Sequence, residues 1–483
     1  MEGSVSYINN LLRNARAPFE CELDPSKGRI LRVTGSYGPA QILFEGPILH
    51  KSEEDKSNPV FQTLTHLFDR CTDGSLDYGA MWYWCGLNSL SFTISDYLTP
   101  ISEEMAHQLK LLFHPEVVAP SDTVKRLCKA ILPSLHRQLT DDEMVEIESM
   151  TIVWTLNCFE HAENPLTYAS YFLPSFMSHS CAPNAMWTTL GDTFVIRAQR
   201  QLSPGEELTV SYLTEEFALR PKERRIDHLK STKFFTCDCP RCISPVDDTR
   251  GFSVTSSTCF VRFPDWENCA NCLPSHLSNV SESDIKLLLA TEKKAIDLVN
   301  YYDDGGGDDV IPTRTNPDLF QSDSDAIELE SLISSLGPAH WTYSRGFYQL
   351  SQYYKSIARY PKAINCLRHH LDSRALYVKS CDKSVSSSYA WALEELGDLL
   401  LLHVSGAVMA GLSEERREEY CHRWKPRGDE DFETLLASGI VETYEESIVI
   451  LSNVFGAEHE HTKTAVEKLE RVKNLISKWI RDS

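Results

Sequence analysis

The sequence contains neither a long apolar run nor a surplus of basic residues. No stretch approaches the roughly 18 consecutive apolar residues of a membrane-spanning helix, so we expect no membrane insertion. The 47 Lys and Arg residues are outnumbered by 69 Asp and Glu residues, and the net charge of −22 argues against direct binding of nucleic acid. The opening residues lack the basic start of a secretory leader, so we expect a protein of the cytoplasm, the nucleus or both.

The acidic surplus has two interpretations. It would attract a basic peptide through long-range electrostatic steering, yet many ordinary acidic proteins share such a composition. With 483 residues and 42% hydrophobic content the chain can bury several cores. A length of roughly 150 residues per domain predicts about three units.

The cysteines indicate a metal site. Their number, fifteen, is odd, which favours free or metal-bound thiols in a reducing compartment over disulfides. Cys237, Cys239 and Cys242 form a CxCxxC triplet, one thiolate short of a closed tetrahedral zinc site. Cys181, in the run Ser178–Asn184, is the natural fourth donor. We predict a structural zinc ion at these four residues; the alternative is a group of buried reduced thiols.

A second group of possible ligands lies further along the chain and consists of Cys259, Cys269, Cys272 and His276. Its CxxC pair, followed four residues later by a histidine, permits another zinc site. Because Cys259 is remote in sequence, free thiols are the favoured interpretation, and both alternatives stay open.

Hydrophobic spacing predicts strands at both ends of a helical stretch. Residues 28–45 alternate short apolar runs with glycine and proline, which predicts two strands paired like a hairpin. From about 60 to 160 the apolar residues recur at helical spacing. Strands are expected again at 193–197 and at 208–212, where the strand ends on a tyrosine. A charged helix should follow at about 219–231.

The last third of the chain has a helical pattern from about residue 325 to the end. Residues 358–364 and 444–450 each resemble the start of the second helix of a tetratricopeptide repeat, although the period of about 34 residues is not kept. We predict degenerate helical hairpins interrupted by a polar loop near 411–432. The acidic, glycine-rich segment 303–309 is expected to be a flexible loop.

An ordered string of motifs resembles the SET-domain protein methyltransferases, and within them the branch that includes the SET-and-MYND proteins. The motifs are Asn157–Phe159, HSCAPN at 179–184, GEELTVSY at 205–212, Glu223–Arg225, and FFTCDCPRC at 234–242. The match extends upstream to 27–32 and 41–45, which look like the opening strands of the family. The resemblance covers roughly residues 20 to 275. Only Cys71 and Cys85 occur where that branch carries its MYND zinc finger, so the chain is similar to a relative without the finger.

This resemblance implies an α+β fold with three parts. A SET-domain β-fold is expected at 20–231, with a helical insertion at about 55–160. A zinc-bound post-SET segment is expected at 232–276, followed by an all-α, TPR-like C-terminal domain at 281–483. The resemblance also leads us to expect a monomer.

The resemblance implies a protein-lysine N-methyltransferase that uses S-adenosylmethionine (SAM). Its protein substrate would present an exposed lysine, and we expect that lysine in a basic segment. Tyr212 would be the catalytic residue that orients the amine, and Phe159 would line the substrate site with it. The expected cofactor-binding residues are Lys27, Gly28, Arg29, Asn157, Ser178, His179 and Phe235.

Several of these residue types suit the cofactor. Gly28 would let the backbone approach it, Lys27 and Arg29 could meet its carboxylate, and Phe235 could face its adenine ring. Taken singly, however, such residues are more often solvated turn or core residues, and Tyr212 could be a core tyrosine that closes a strand.

Two departures from the family pattern favour an alternative function. Ser178 stands where the family usually has asparagine, which removes an amide that can both donate and accept. Ile30 stands in place of a glycine, and its β-branched side chain disfavours positive φ and would crowd the cofactor. The alternative is a catalytically weak or inactive SET/TPR-like scaffold that binds protein partners. Methylation of histidine instead of lysine is a third possibility.

Overall fold

The computed structural model describes residues 2–71, 76–160, 167–256, 259–269, 281–301, 320, 322–377, 385–410 and 432–482. They form two compact units, one of residues 1–178 with 184–210, and one of 179–183 with 211–483. Strands and helices occur in both units, as the predicted α+β class requires. None of the helices in the described ranges combines the length and the apolar composition of a membrane span.

The strands up to residue 210 form short sheets. They are β1 (Phe19–Asp24), β2 (Gly28–Val33), β3 (Ile42–Pro47), β4 (His50–Glu53), β5 (Cys158–Glu160), β6 (Thr167–Ser170), β7 (Ser178–His179), β8 (Ala185–Leu190), β9 (Thr193–Ala198) and β10 (Thr209–Val210). One sheet has the order β3-β9-β8 and another the order β4-β6-β5.

The predicted hairpin within residues 28–45 is wrong in its pairing. Both strands exist, but β2 pairs with β1, with Cys21 opposite Leu31, and β3 pairs with β9, with Phe44 opposite Ile196. The hairpin turn is the short link from Asp24 to Gly28, where aspartate and glycine supply the turn chemistry. The link between β2 and β3 is longer than the link between β1 and β2, and β2 and β3 each pair with a different strand.

The helical insertion of the first unit is present as predicted. Its helices are α2 (Pro59–Arg70), α3 (Ala80–Leu87), α4 (Glu103–Leu111), α5 (Asp122–Ile131) and α6 (Asp141–Asn157), preceded by α1 (Glu2–Asn14) at the start of the chain. Phe61 and Leu64 on α2 share a buried core with Val124, Leu127 and Ile131 on α5, which confirms the helical spacing of apolar residues predicted for 60–160. A separate core lies beneath the strands.

The second unit begins with a charged helix and a small sheet. Its elements up to residue 301 are α7 (Lys222–Lys233), α8 (Pro240–Ile243), β11 (Gly251–Ser256), β12 (Cys259–Arg262), β13 (Asp265–Cys269) and α9 (Glu282–Tyr301). The charged helix predicted at about 219–231 is α7. The strand predicted at 208–212 is shorter in the structure than predicted. It is β10, which ends at Val210, so Tyr212 lies after the strand.

The C-terminal part is helical, as predicted. Its helices are α10 (Asp323–Leu336), α11 (Trp341–Ser356), α12 (Tyr360–Tyr377), α13 (Ser387–Ala410), α14 (Phe432–Val454) and α15 (Glu460–Asp482). Helix α11 packs against α12, and α13 against α14. A Cβ atom at Gly397 would lie 2.7 Å from the Tyr444 ring, so this glycine allows α13 and α14 to approach closely.

The prediction for one of the two repeat-like segments is wrong about its position within a helix. Residues 358–364 do span the start of α12. Residues 444–450, in contrast, lie in the middle of α14, because the apolar pattern continues upstream of them. The predicted loop at 303–309 and residues 411–431 of the loop predicted near 411–432 lie outside the described residues. The same holds for Cys272, His276 and the side chains of Cys259 and Cys269.

Candidate active site and cysteine cluster

Four cysteine side chains of the second unit meet at one point. The Sγ atoms of Cys181, Cys237, Cys239 and Cys242 all lie within 4.8 Å of one another, and all four residues are buried. The Sγ atoms of Cys181 and Cys242 are 3.6 Å apart. Tetrahedral zinc with Zn–S bonds of about 2.3 Å requires S–S distances of roughly 3.8 Å. The cluster therefore fits a zinc ion, and four sulfur ligands leave no open position for a catalytic water.

Local backbone structure brings the CxCxxC sulfurs to one side. Cys239 precedes the first residue of α8, and Pro240 at that first position has the fixed φ that suits a helix start. The backbone N–H of Cys242 donates to the carbonyl of Cys239 (2.8 Å), so the two cysteines lie one turn apart. The backbone N–H of Cys181 donates to the Sγ atom of Cys239 (3.4 Å), which joins the distant fourth ligand to the triplet.

Without a cation, the four cysteine side chains have opposing effects on one another's pKa. Hydrogen bonding with Cys237 raises the pKa of the Cys181 thiol, whereas hydrogen bonding with Cys181 lowers the pKa of the Cys239 thiol. Only some of the sulfurs can then be thiolates. A divalent metal removes the conflict because it binds all four as thiolates. The donor set therefore favours a structural zinc ion over buried reduced thiols.

Two buried arginines supply positive charge near the cluster. Arg241 donates to the carbonyl of Cys181 (2.7 Å) and pairs with Asp248 (2.7 Å). Arg225 is fully buried on α7, and its Nε and Nη2 atoms find no hydrogen-bond partner among the described residues. Zinc with four thiolates carries two more negative than positive charges, so a guanidinium nearby is an electrostatic complement. The charge of Arg225 acts on residues beside the cysteine cluster, since it helps to lower the pKa of His179.

His179 connects the cysteine cluster to Tyr212. Its Nδ1 atom accepts the backbone N–H of Tyr212 (2.9 Å), so the proton of the neutral ring resides on Nε2. Nε2 lies 3.3 Å from the Sγ atom of Cys181 and donates to it. Burial, with the nearby charges of Arg225 and Arg241, lowers the pKa of His179 to about 4 against the opposing effect of Cys239. The ring is therefore neutral at neutral pH, as this double role requires.

Three aromatic rings form the candidate site in the second unit. The ring centroids of His179 and Tyr212 are 5.3 Å apart, and Phe235 lies 5.9 Å from His179 and 6.2 Å, edge-on, from Tyr212. Tyr212 is 40% exposed, which is not the burial of a core tyrosine. Phe235 is half-buried against the cysteine cluster. An aromatic face and a tyrosine thus lie side by side next to the cysteine cluster.

The turn at Lys27–Arg29 belongs to the first unit. The Asp24 carboxylate accepts the backbone N–H groups of Ser26 (2.8 Å) and Lys27 (3.0 Å), which shapes the turn. Gly28 has φ +79°, a left-handed conformation, and a Cβ atom there would meet nothing within 4 Å. The sequence prediction of an open glycine at this position is consistent with that geometry.

The two basic residues of this turn have partners within the first unit. Lys27 pairs with Glu207, with an Nζ–Oε2 distance of 2.7 Å. The guanidinium of Arg29 lies 5.0 Å from the centre of the Phe176 ring, and burial lowers its pKa. A ligand carboxylate bound by Lys27 would therefore compete with Glu207.

Asn157 and Phe159 make contacts typical of structural residues. Asn157 is buried, and its amide donates to the carbonyls of Phe113 and Val153 (2.8 Å each), so a ligand could use only the amide oxygen. The Phe159 ring packs against Trp187 (4.9 Å) and other aromatic rings of the first unit. The predicted ligand roles of both residues remain predictions.

The two departures from the family pattern differ in their consequences. Ser178 is half-buried at the start of β7 and offers only a hydroxyl where an amide was expected. Ile30 lies within β2, is 1% exposed and is not among the residues with positive φ. The expected strain at Ile30 is therefore absent. Glycine at this position would delete a buried side chain, at a cost typical of a large-to-small core substitution.

The residues of the predicted site belong to two units of the structure. His179, Tyr212 and Phe235 lie together in the second unit. The others lie in the first unit: Lys27, Gly28, Arg29, Asn157, Phe159 and Ser178. Sequence reasoning missed Arg225 and Arg241 as charge partners of the cysteine cluster, although both stand inside quoted motifs.

Comparison with known proteins finds a match for part of the chain. Residues 28–213 match the SET domain family model. The N-lysine methyltransferase SMYD2 of Sus scrofa is 30% identical over 164 residues, which is 32% of this chain and 35% of that protein. The SMYD2 of Gallus gallus is 43% identical over 68 residues, 14% of this chain and 15% of that protein. The chain thus matches about a third of the length of these relatives at most.

Among solved structures, the SET domain of LSMT bound to lysine and AdoHcy aligns over 98% of this chain and 93% of that chain. The sequence identity is 13% and the TM-score is 0.29. A TM-score of this size does not by itself establish a common fold. The assignment of a SET domain therefore rests on the family match and on the similar sequences.

Proposed function

We propose that this chain, which contains a SET domain at residues 28–213, transfers a methyl group from SAM to a lysine side chain of a protein. The similar sequences are N-lysine methyltransferases. The observation that carries the proposal is the position of Tyr212, which is half-exposed and held through its backbone by His179 beside Phe235. A tyrosine so placed can present its hydroxyl to a bound amine.

Methyl transfer needs a neutral amine, because a protonated lysine has no lone pair. Entry into an apolar, aromatic site lowers the pKa of a lysine by desolvation. In this proposal the hydroxyl of Tyr212 accepts or donates a hydrogen bond that orients the amine, and the aromatic rings exclude water. SAM would supply the methyl group: its S–CH3 bond would break as the new N–CH3 bond forms, and S-adenosylhomocysteine would be the leaving group. The lysine loses its proton to solvent before transfer.

The cofactor would be bound by Lys27, Gly28, Arg29, Asn157, Ser178, His179 and Phe235. Phe235 offers an aromatic face for adenine, and Gly28 offers an open backbone. Phe159 would line the substrate site with Tyr212. We propose a structural zinc ion at the four cysteines, where it would hold the segment that carries Phe235.

The domain division is also a proposal. We assign residues 20–231 to the SET domain with its insertion, 232–276 to a post-SET segment and 281–483 to a TPR-like domain. The packed pairs α11 with α12 and α13 with α14 support helical hairpins. We also propose a monomer, located in the cytoplasm, the nucleus or both; the reduced cysteines among the described residues fit such a reducing compartment.

A direct experiment tests the activity. The purified chain is incubated with labelled SAM and a protein extract, and modified residues are located by mass spectrometry. We expect methyl-lysine. Methyl-histidine would change the substrate class. Tight SAM binding without any transfer would favour the scaffold, and Ser178→Asn would then be the first variant to restore activity.

We expect the substrate segment to be basic. Residues 281–483 contain 23 Lys and Arg against 34 Asp and Glu, which is half of the net charge of −22. Affinity for a lysine-containing basic peptide should fall several-fold between about 0.05 and 0.5 M salt, because counter-ions screen exposed charges. Fluorescence anisotropy with a labelled peptide measures this. A peptide of equal length with glutamate at the basic positions is the control, and its tighter binding would contradict the proposal.

A further inference from the structure

The segment that follows Tyr212 carries two adjacent carboxylates, Glu215 and Glu216, and both bind helices far along the chain. Glu215 accepts the backbone N–H groups of Ser387 (3.0 Å) and Ser388 (3.1 Å) at the start of α13. Glu216 pairs with Arg374 on α12, 158 residues away in sequence. These contacts lie within the second unit.

Glu215 caps helix α13 from a distant segment. The first N–H groups of a helix have no partner within the helix and favour a negative charge. Ser386 supplies an ordinary cap, because its hydroxyl accepts the N–H of Tyr389 (3.3 Å). That hydroxyl also donates to Glu215 (2.7 Å), as does the hydroxyl of Ser387 (2.8 Å). The carboxylate thus receives several hydrogen bonds from one serine cluster, Ser386–Ser388.

Arg374 joins the second carboxylate to the same serine cluster. Its side chain is 5% exposed, contacts Glu216 and donates to the hydroxyl of Ser388 (2.6 Å). Burial opposes ionisation of Glu216, but the charges of Arg374, His370 and Arg345 outweigh it and hold its pKa at about 2. Both acidic residues are therefore tied to the helices α12 and α13.

The other side of this segment rests on the cysteine cluster. Leu213 and Phe217 pack with the four cysteines and Leu229 in one buried group. The hydroxyl of Thr214 accepts the N–H of Phe217 (3.1 Å), which keeps the chain compact between them. Only two residues separate Tyr212 from Glu215. The chain between them is too short to absorb a displacement of Glu215, so such a displacement would also move Tyr212.

We propose that Glu215 is a positioning residue that lets the C-terminal helices set the placement of Tyr212. The carboxylate fixes the segment after Tyr212 to α13, while His179 fixes the backbone of Tyr212 itself. Its effect on catalysis rests on the proposed methyl transfer. The contact itself, and its effect on the segment, do not depend on any activity.

The test compares Glu215→Gln, Glu215→Asp and a control, Glu282→Gln, which removes only the exposed ion pair with Lys286. Glutamine keeps the size but loses the charge and one acceptor oxygen, so the amides of residues 209–219 and 385–390 should exchange hydrogen at least about tenfold faster in the full-length chain. Aspartate, which keeps the carboxylate, should restore part of the protection. The control should match the wild type.

Activity gives the second readout. If the chain transfers methyl groups, Glu215→Gln should lower kcat by on the order of tenfold and change the KM for SAM less than about twofold, because Glu215 acts only through Tyr212. Unchanged hydrogen exchange would overturn the proposal whether or not the chain is an enzyme. Faster exchange with an unchanged kcat in an active enzyme would overturn the positioning role. An inactive wild type would count against the proposed function alone.

A milder variant covers the case in which Glu215→Gln does not fold. Ser387→Ala removes one hydroxyl donor and leaves the carboxylate and the backbone donors in place. It should raise exchange in the same two segments by a smaller factor. Identical exchange in this variant and the wild type, with Glu215→Asp also unchanged, would overturn the proposal.

Discussion

Replacing Cys239 by serine is expected to abolish zinc binding and to destabilise the second unit so far that little soluble protein remains. Structural zinc in small peptides contributes roughly 10–16 kcal/mol of binding energy, whereas whole domains are stable by only about 5–15 kcal/mol. Cys239 is one of the four cysteines of the cluster that could hold the ion, and its Sγ atom also accepts the backbone N–H of Cys181. Zinc content per chain, solubility and thermal unfolding measure the outcome.

The matched control is Cys366→Ser. Cys366 is 2% exposed on α12, so it is buried like the cluster cysteines but is not among them. This substitution should keep about one zinc per chain and lower the melting temperature modestly, since it only buries a hydroxyl in place of a thiol. A Cys239→Ser protein that is fully folded without metal would refute a structural role for the site.

The cluster of four cysteines could be predicted from the sequence because metal chemistry restricts both residue type and spacing. Three thiolates within six residues have few other uses, and the missing fourth pointed to Cys181. The helical faces of α2 and α5 were also predictable, since the apolar spacing of residues such as Leu64 and Leu127 reflects burial directly. In both cases local sequence contains the physical cause of the structure.

Strand pairing could not be predicted in the same way. The pattern at 28–45 indicated two strands correctly, yet β3 pairs with β9, about 150 residues later. Partner choice depends on which distant strands complete the sheet, and alternation of side chains does not encode it. For the same reason the contact of Glu215 with Ser387 could not be predicted, because Glu215 looks like an ordinary exposed acidic residue in the sequence.

The role of His179 shows how one motif can connect metal and site. Sequence resemblance suggested only a cofactor contact for this residue. In the structure its two ring nitrogens contact the backbone of Tyr212 and the sulfur of Cys181. Loss of zinc would therefore disturb the placement of Tyr212 as well as the local fold. The tyrosine must accordingly be tested by a change that leaves metal and backbone intact.

Tyr212→Phe is that change, and it should lower methyl transfer by on the order of a hundredfold or more. A contact made in the transition state typically contributes a few kcal/mol. Phenylalanine retains the ring beside His179 and Phe235 and the backbone N–H bond to His179. Tyr212 is 40% exposed, so loss of one hydroxyl should barely change the melting temperature. SAM affinity and zinc content should likewise remain close to those of the wild type.

The control is Tyr97→Phe, which removes a hydroxyl from a tyrosine that is 50% exposed in the first unit. Both variants lose the same group from a comparably exposed ring, so a difference between them reports the position of the hydroxyl and not its removal. Steady-state methylation, SAM titration and thermal unfolding of the two variants separate transfer from binding and folding. Equal activity of Tyr212→Phe and the wild type would refute the catalytic role. A drop in SAM affinity as large as the drop in rate would place Tyr212 in cofactor binding instead.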